Sequence, residues 1–314
     1  MRLFCRSITA TLLGLVLLAG CGQDNSDSES KGRESTSTSQ FPVTITAANG
    51  KVTIPSRPER VISLTPAATE MLYAIGAGKQ VVAVDDQSNY PEEAPRTKLS
   101  GFKPNAEAVI GYTPDLVVLS NDTDGIVKAL TTVKIPVLMT PAATTLDDTY
   151  DQLRNLGKAT GHADEAGKVA TDTKAKIASI VAETAKPAEK LSYYHELDTT
   201  YYTVTSKTFL GQVYGLFGMT NIADAADKQG TGYPQLSAEY IVQADPDLVF
   251  LADTKCCKQS AETVAKRPAW DRITAVKSGG VVELDDDIAS RWGPRIVDLV
   301  QAVADAVEKA GQAK

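Results

Sequence analysis

Histidine is almost absent from this chain, with two residues, His162 and His195, in 314. Neither has a second histidine or a cysteine at ligand spacing, so a protein-built zinc or manganese site is not expected. Cysteine is equally sparse. Cys5 and Cys21 lie near the start, and only the adjacent pair Cys256-Cys257 falls in the body of the chain. There are two tryptophans, Trp270 and Trp292. No Gly-x-Ser-x-Gly nucleophile elbow occurs, and Gly76-Ala-Gly-Lys79 lacks the spacing of a phosphate-binding loop. Hydrolase and nucleotide-binding readings therefore start without a constellation to carry them. Net positive charge is lacking too: the formal charge is −7, which argues against a nucleic-acid partner.

The first 20 residues hold Arg2 and Arg6, then an apolar run from Ile8 to Leu18. That run falls short of the roughly 20 residues needed to cross a bilayer. Leu18-Ala19-Gly20-Cys21 follows and matches a bacterial lipobox, so residues 1–20 read as a signal peptide and Cys21 as a lipidation site. Removal of the signal leaves 30 Lys and Arg against 39 Asp and Glu, a charge of −9. Gly22–Gln40 is rich in Ser, Thr and acidic residues without a large apolar side chain, the composition of a tether. Its Ser28-x-x-Lys31 match to a penicillin-binding pattern is chance. The tether is assigned to 21–50.

The body of the chain contains one duplicated unit. Ala106–Leu119 reads AEAVIGYTPDLVVL and Ala238–Leu251 reads AEYIVQADPDLVFL, at a constant offset of 132 without a gap. Each copy reads as a helix followed by a strand, and its duplication implies two similar lobes with a cleft between them. Short apolar runs at Val61–Leu64, Val81–Val84, Leu116–Leu119 and Pro136–Met139 read as buried strands. Thr65-Pro66 opens a helix over Ala67–Ile75. A second strand set follows at Leu191–His195, Tyr201–Thr205, Leu248–Leu251 and Val281–Leu284, with helices at Phe209–Phe217 and Glu239–Gln243. The expected class is α/β, two lobes with mainly parallel central sheets. Between the sets, Asp164–Ala185 carries Val169, Thr173, Ile177, Ile180, Val181 and Thr184 at helical spacing. A helix of about 20 residues reaches roughly 30 Å, enough for a single long interlobe strut. The expected divisions are 51–150 for the first lobe, 151–187 for the interlobe helix region and 188–314 for the second lobe.

Several segments together resemble the ferric-siderophore and cobalamin class of substrate-binding proteins for ABC importers: Arg60-Val-Ile-Ser-Leu-Thr-Pro-Ala-Ala-Thr-Glu70, Ser88-Asn-Tyr-Pro91, Pro114-Asp-Leu-Val117, Tyr233-Pro-Gln-Leu-Ser-Ala-Glu239 and Arg291-Trp-Gly-Pro-Arg295. The resemblance covers the chain from about Lys51 onward and is nearest to the cobalamin-binding branch. It implies a lipid-anchored extracytoplasmic monomer that hands a corrinoid, or alternatively a ferric siderophore or haem, to a permease dimer with ATPase subunits. No cofactor is implied, because cobalt or iron would arrive already chelated. A sensor of the same ligand and a surface enzyme are the other classes considered.

Candidate residues follow. Asn105 and Ser237 read as N-caps that put Glu107 and Glu239 in first helical turns, where a carboxylate suits the dipole. The resemblance adds that such paired glutamates dock arginines of the permease. Phe102 and Tyr233 precede the two copies of the repeat at corresponding places and could stack on a flat ligand. Tyr90 and one of Tyr201 and Tyr202, taken as Tyr202, join them. Arg291 offers a rigid fork for an anion, with Asp287 and Trp292 beside it, while Arg295 reads as structural. Cys256 and Cys257 could form a vicinal disulfide, remain free, or pair between molecules.

Overall fold

A computed structural model of the chain describes residues Phe41–Ala313. The signal-like residues, Cys21 and most of the assigned tether lie outside them. The first lobe opens with an antiparallel hairpin, β1 (Val43–Ala47) and β2 (Gly50–Ile54). Part of the segment assigned to the tether therefore belongs to the fold. The reason is in the pattern: Ile45, Val52 and Ile54 bury on one side while the Thr and Lys neighbours stay out, the alternation of a half-covered hairpin.

The lobe's main sheet is built from β3 (Val61–Leu64), β4 (Val81–Asp85), β5 (Arg96–Leu99), β6 (Leu116–Leu119) and β7 (Val137–Met139). All neighbours are parallel and the order is β5-β4-β3-β6-β7. Helices α1 (Pro66–Ala74) and α4 (Leu146–Thr160) cover one face; α2 (Ala106–Ile110) and α3 (Ile126–Thr132) cover the other. The second lobe repeats this plan with β8 (Ser192–Glu196), β9 (Thr220–Asn221), β10 (Leu248–Leu251) and β11 (Val281–Glu283), parallel throughout in the order β11-β10-β8-β9. Its helices are α6 (Phe209–Gly215), α7 (Ala238–Ala244), α8 (Ala261–Ala265), α9 (Thr274–Ser278), α10 (Asp286–Ala289) and α11 (Ile296–Ala313).

Between them runs α5 (Ala163–Glu183), 21 residues long. Its first half puts Ala166 and Ala170 into the core of the first lobe, and its second half puts Ile177 and Ile180 into the core of the second. One unbroken helix thus belongs to both cores. The strut is α5 alone, because α4 buries Tyr150, Leu153 and Leu156 in the first lobe. The interlobe boundary consequently moves from 151 to about Ala163. Tyr201–Thr205, expected as a strand, is not one. Tyr201 has φ +67°, and only a single bridge, Tyr202 to Gln235, forms there.

The duplicated unit maps onto α2–β6 and α7–β10. Its equivalence extends to the backbone: Thr113 and Asp245, at matching positions, have φ +49° and +45°. The repeated Pro-Asp-Leu-Val has a physical task. Asp115 accepts hydrogen bonds from the backbone N–H groups of Glu59 and Arg60 at 2.8 and 2.9 Å. Asp247 accepts from the N–H and hydroxyl of Ser192 at 2.8 and 2.9 Å. Each carboxylate ties the entry of its own strand to the entry of the neighbouring parallel strand, which fixes register where a slip would bury the wrong set of side chains.

Candidate functional site: a cleft between two sheet edges

In both lobes the chain leaves the first strand to one side and returns on the other, so the strand order reverses beside β3 and beside β8. The crevice at the carboxyl ends of such strands is where open α/β sheets bind ligands. The two carboxyl ends confront one another here. Asn89, after β4, donates to Asp287, after β11, at 3.0 Å. The carbonyl of Gln87 accepts from Arg291 at 3.1 Å.

Four aromatic side chains stand out from these edges: Phe102 is 72% exposed, Tyr233 53%, Tyr90 46% and Tyr202 43%. Phe102 follows β5 in a loop that lies directly on the end of the sheet. A Cβ on Gly101 would come within 2.6 Å of the Leu64 carbonyl and 2.7 Å of Asp85, so only glycine permits that approach. Tyr202 and Tyr233 sit on adjacent extended segments beside the end of β8. Thr203 N–H donates to the Pro234 carbonyl at 3.1 Å, and Leu197 N–H to the Tyr202 carbonyl at 2.9 Å. The choice between Tyr201 and Tyr202 is resolved by packing. Tyr201 stacks on buried Trp270 at 6.0 Å, with the Arg267 guanidinium over its ring, leaving Tyr202 outward. Tyr90 departs from the expected ligand wall: it sits under the guanidinium of Arg295, 4.1 Å from the ring centre, in a hollow also lined by Asp172 and Lys176 of the interlobe helix.

Arg291 departs from the expected role of a free fork. Its residue is 8% exposed. One terminal nitrogen donates to Glu70 at 2.9 Å and the other to Asp287 at 2.8 Å. Arg295 also donates to Glu70, at 3.0 and 2.5 Å. Glu70 sits on α1 in the first lobe, so one buried carboxylate clasps two guanidiniums of the second. Gly293 makes room for it, since a Cβ there would lie 3.0 Å from the Glu70 carboxylate. Trp292 takes part in the same seam. It donates to Gln152 at 2.9 Å and packs against the cores of both lobes. Sequence reasoning passed over Glu70, and the signal available was a carboxylate inside an otherwise apolar helix face. Asp287 pairs with Arg291 and also accepts from Asn89 and Lys255. Burial alone would raise its pKa, but hydrogen bonds from Lys255 and Asn89 and the charge of Arg291 hold it below the usual carboxylate range.

Glu107 and Glu239 lie in the first turns of α2 and α7. The caps form as expected, Asn105 accepting from Ala108 N–H and Ser237 from Tyr240 N–H. Both glutamates are exposed, on the helix layer away from α1 and α5. Cys256 and Cys257 are free, on the loop after β10. His195 is buried, donates or accepts at Tyr214 Oη at 2.7 Å, and has its pKa pushed down to about 3 by burial, so it is neutral.

A second buried carboxyl lies beneath the second lobe's edge. Asp253 is fully buried and no donor reaches either oxygen. Its neighbour Glu196 is held by Arg267 at 2.6 and 2.5 Å. Burial first, and then the charge of Glu196, push Asp253 up to about 7.

These features define a class: a two-lobed binding protein with a preformed cleft between opposed sheet edges. Comparison with known proteins agrees. Residues 61–288 match the family model described as periplasmic binding protein, and the chain belongs to that family. It is 34% identical over 309 residues to an uncharacterized ABC transporter substrate-binding lipoprotein, YvrC, of Bacillus subtilis, covering 95% of each chain. It is 34% identical over 281 residues to a cobalamin-binding protein of Halobacterium salinarum, covering 85% of this chain and 74% of the relative. Among solved structures, a possible iron-binding (periplasmic solute-binding) protein from Staphylococcus epidermidis superposes with a TM-score of 0.69 at 26% identity, over 80% of this chain and 99% of the other.

The Asp253 carboxyl generates a pH prediction. Its folded pKa exceeds the unfolded value, so the native state holds a proton that the unfolded chain releases. Stability from this group is therefore lost as pH rises from about 4 to about 7. Between pH 4.5 and pH 8 the stability of Asp253→Asn relative to the parent should therefore rise, by on the order of 3 kcal/mol. Urea unfolding at the two pH values measures this; an equal difference at both would contradict it.

Proposed function

We propose that the protein is the lipid-anchored, extracytoplasmic receptor of an ABC importer, and that it carries a bulky metal chelate, a corrinoid in preference, between its lobes. The observation that carries this reading is the set of exposed rings, Phe102 on the first lobe and Tyr202 and Tyr233 on the second, beside two facing sheet edges. Single exposed aromatics are ordinary, but three beside the carboxyl ends of parallel strands make a wall on which a flat macrocycle can stack. The binding named for the Halobacterium relative favours a corrinoid. The protein performs no reaction and holds no cofactor of its own; the metal is cargo. It acts as a monomer, anchored through Cys21 and delivering to a permease dimer with its ATPase subunits.

One observation favours a second cargo. Two of the three cleft aromatics are tyrosines, and a phenol oxygen can ligate iron that has an open position, as tyrosine does in some haem proteins. A ferric siderophore or haem is thus the alternative chelate.

Titration with cobalamin, ferric hydroxamate, ferric catecholate and haem, followed by tryptophan fluorescence and calorimetry, separates these. Trp292 in the interlobe seam should report binding, whereas Trp270 is buried away from solvent. Phe102→Ala and Tyr233→Ala should each weaken the preferred ligand about 10-fold, equivalent to roughly 1.4 kcal/mol. No binding of any of the four would remove the ligand class, and full affinity in both variants would remove the aromatic wall.

The paired glutamates fit a docking role: matching positions, one per lobe, exposed, and without a hydrogen bond or ion pair from either carboxylate to another described residue. The double variant Glu107→Ala, Glu239→Ala should keep ligand affinity and lose most uptake in cells carrying the cognate permease. Normal uptake would exclude docking through these residues.

A further inference from the structure

Cys256 and Cys257 are not absorbed by either role above. Their sulfurs lie 2.6 Å apart, closer than unbonded sulfurs normally rest. The turn that presents them is unusually constrained. The Asp286 carboxylate accepts from three consecutive backbone N–H groups, Thr254, Lys255 and Cys256, at 2.8, 2.9 and 3.0 Å, and from the Thr254 hydroxyl at 2.7 Å. Lys255 reaches Asp285 and Asp287 at 2.7 and 2.8 Å. Asp287 in turn holds Arg291 and Asn89. The turn is therefore fastened on the side that meets the other lobe, with the thiols facing outward: Cys256 is exposed and Cys257 half-buried.

We propose that Cys256 and Cys257 are a reversible oxidation site, closing a vicinal disulfide that resets the Thr254–Lys258 turn on the rim of the cleft. The oxidant is a small disulfide of the extracytoplasmic space, the location given under the proposed function and one where thiols tend to oxidise. A thiolate of the pair attacks the small disulfide, forming a mixed disulfide and releasing one small thiol. The second cysteine loses its proton, attacks the sulfur of the first, and expels the other small thiol. Two protein thiols are oxidised and one disulfide is reduced to two thiols. Desolvation and the adjacent Cys257 hold the Cys256 thiol up at about 12. Closure joins the sulfurs through the peptide bond between the two residues. That peptide bears the Cys257 N–H, which bonds the Asp253 carbonyl at 3.2 Å, so this amide reports a resetting of the turn. Exchange back with a small thiol reopens it.

The test needs no ligand, so its failure is distinct from failure of the proposed function. The purified full chain carrying Cys5→Ser and Cys21→Ser is incubated with oxidised glutathione, then unfolded, alkylated and digested with a protease that spares Lys255 and Lys258. The peptide holding both cysteines should lose two hydrogens and take no alkyl group, and reduction should restore two alkylation sites. Cys256→Ser and Cys257→Ser should each stop at a mixed disulfide with glutathione. Hydrogen exchange at the Cys257 amide should quicken several-fold on oxidation while β10 stays unchanged. Two alkylated thiols after oxidation, a disulfide-linked dimer, or an unaltered exchange rate in the oxidised turn would each overturn the proposal.

Discussion

The arrangement of the two lobes depends on one buried carboxylate. Glu70 leaves α1 inside the first lobe and receives Arg291 and Arg295 from the start of α11 in the second. A buried ion pair is weak evidence for stability as such, because desolvation offsets much of the attraction. What it supplies is specificity. Removing one partner leaves an uncompensated charge, typically a loss of about 3–5 kcal/mol, so arrangements in which the lobes slide or open are penalised. Asp287 extends the clasp to Asn89 and Lys255, and Trp292 seals it against both cores. With α5 rooted in both cores, and with Ala143 and Leu146 of the first lobe packed on the second core beside a hydrogen bond from Gln212 to the Thr144 carbonyl, the ionic clasp works together with apolar joins. The cleft is then largely formed before ligand arrives, which reduces the ordering that binding must offset.

The duplicated unit serves this architecture at three levels. Its aspartates fix strand register, its capped helices hold a glutamate outward on each lobe, and the residues just before it carry Phe102 and Tyr233. Ligand wall and outer face are thus connected through two short, rigid elements. Function is placed on loops held by a stiff scaffold, the usual division of labour in α/β proteins.

Much of this was legible in the sequence because the deciding signals are local. The strands at Val61, Leu116, Leu191 and Leu248 announce themselves as short apolar runs buried on both faces, and α5 as a long apolar stripe without Gly or Pro in its second half. The hairpin at Val43–Ile54 carries only a weak strand signal, because its threonines and lysine alternate with few apolar residues. Tyr201–Thr205 has strand composition, yet Tyr201 is turned by its stack on Trp270, a partner far along the chain. Arg291 shows the same limit at the site. Its spacing from Asp287 was readable, and that pair forms. Glu70, 221 residues away, lies beyond any periodicity, and it converts an apparent anion fork into an interlobe tie. Local pattern reveals elements and caps; charges that meet across a cleft are revealed only by folding.

The central claim is that the Glu70 clasp keeps the lobes in one arrangement. Pulsed electron-spin distance measurement tests it, with labels at Lys128 on α3 and at Lys266, just after α8, in a background whose four native cysteines are replaced by serine. A single narrow distribution is expected in this protein without ligand, broadening markedly in Glu70→Ala. A broad distribution in the parent, or an unchanged narrow one in Glu70→Ala, would contradict the account.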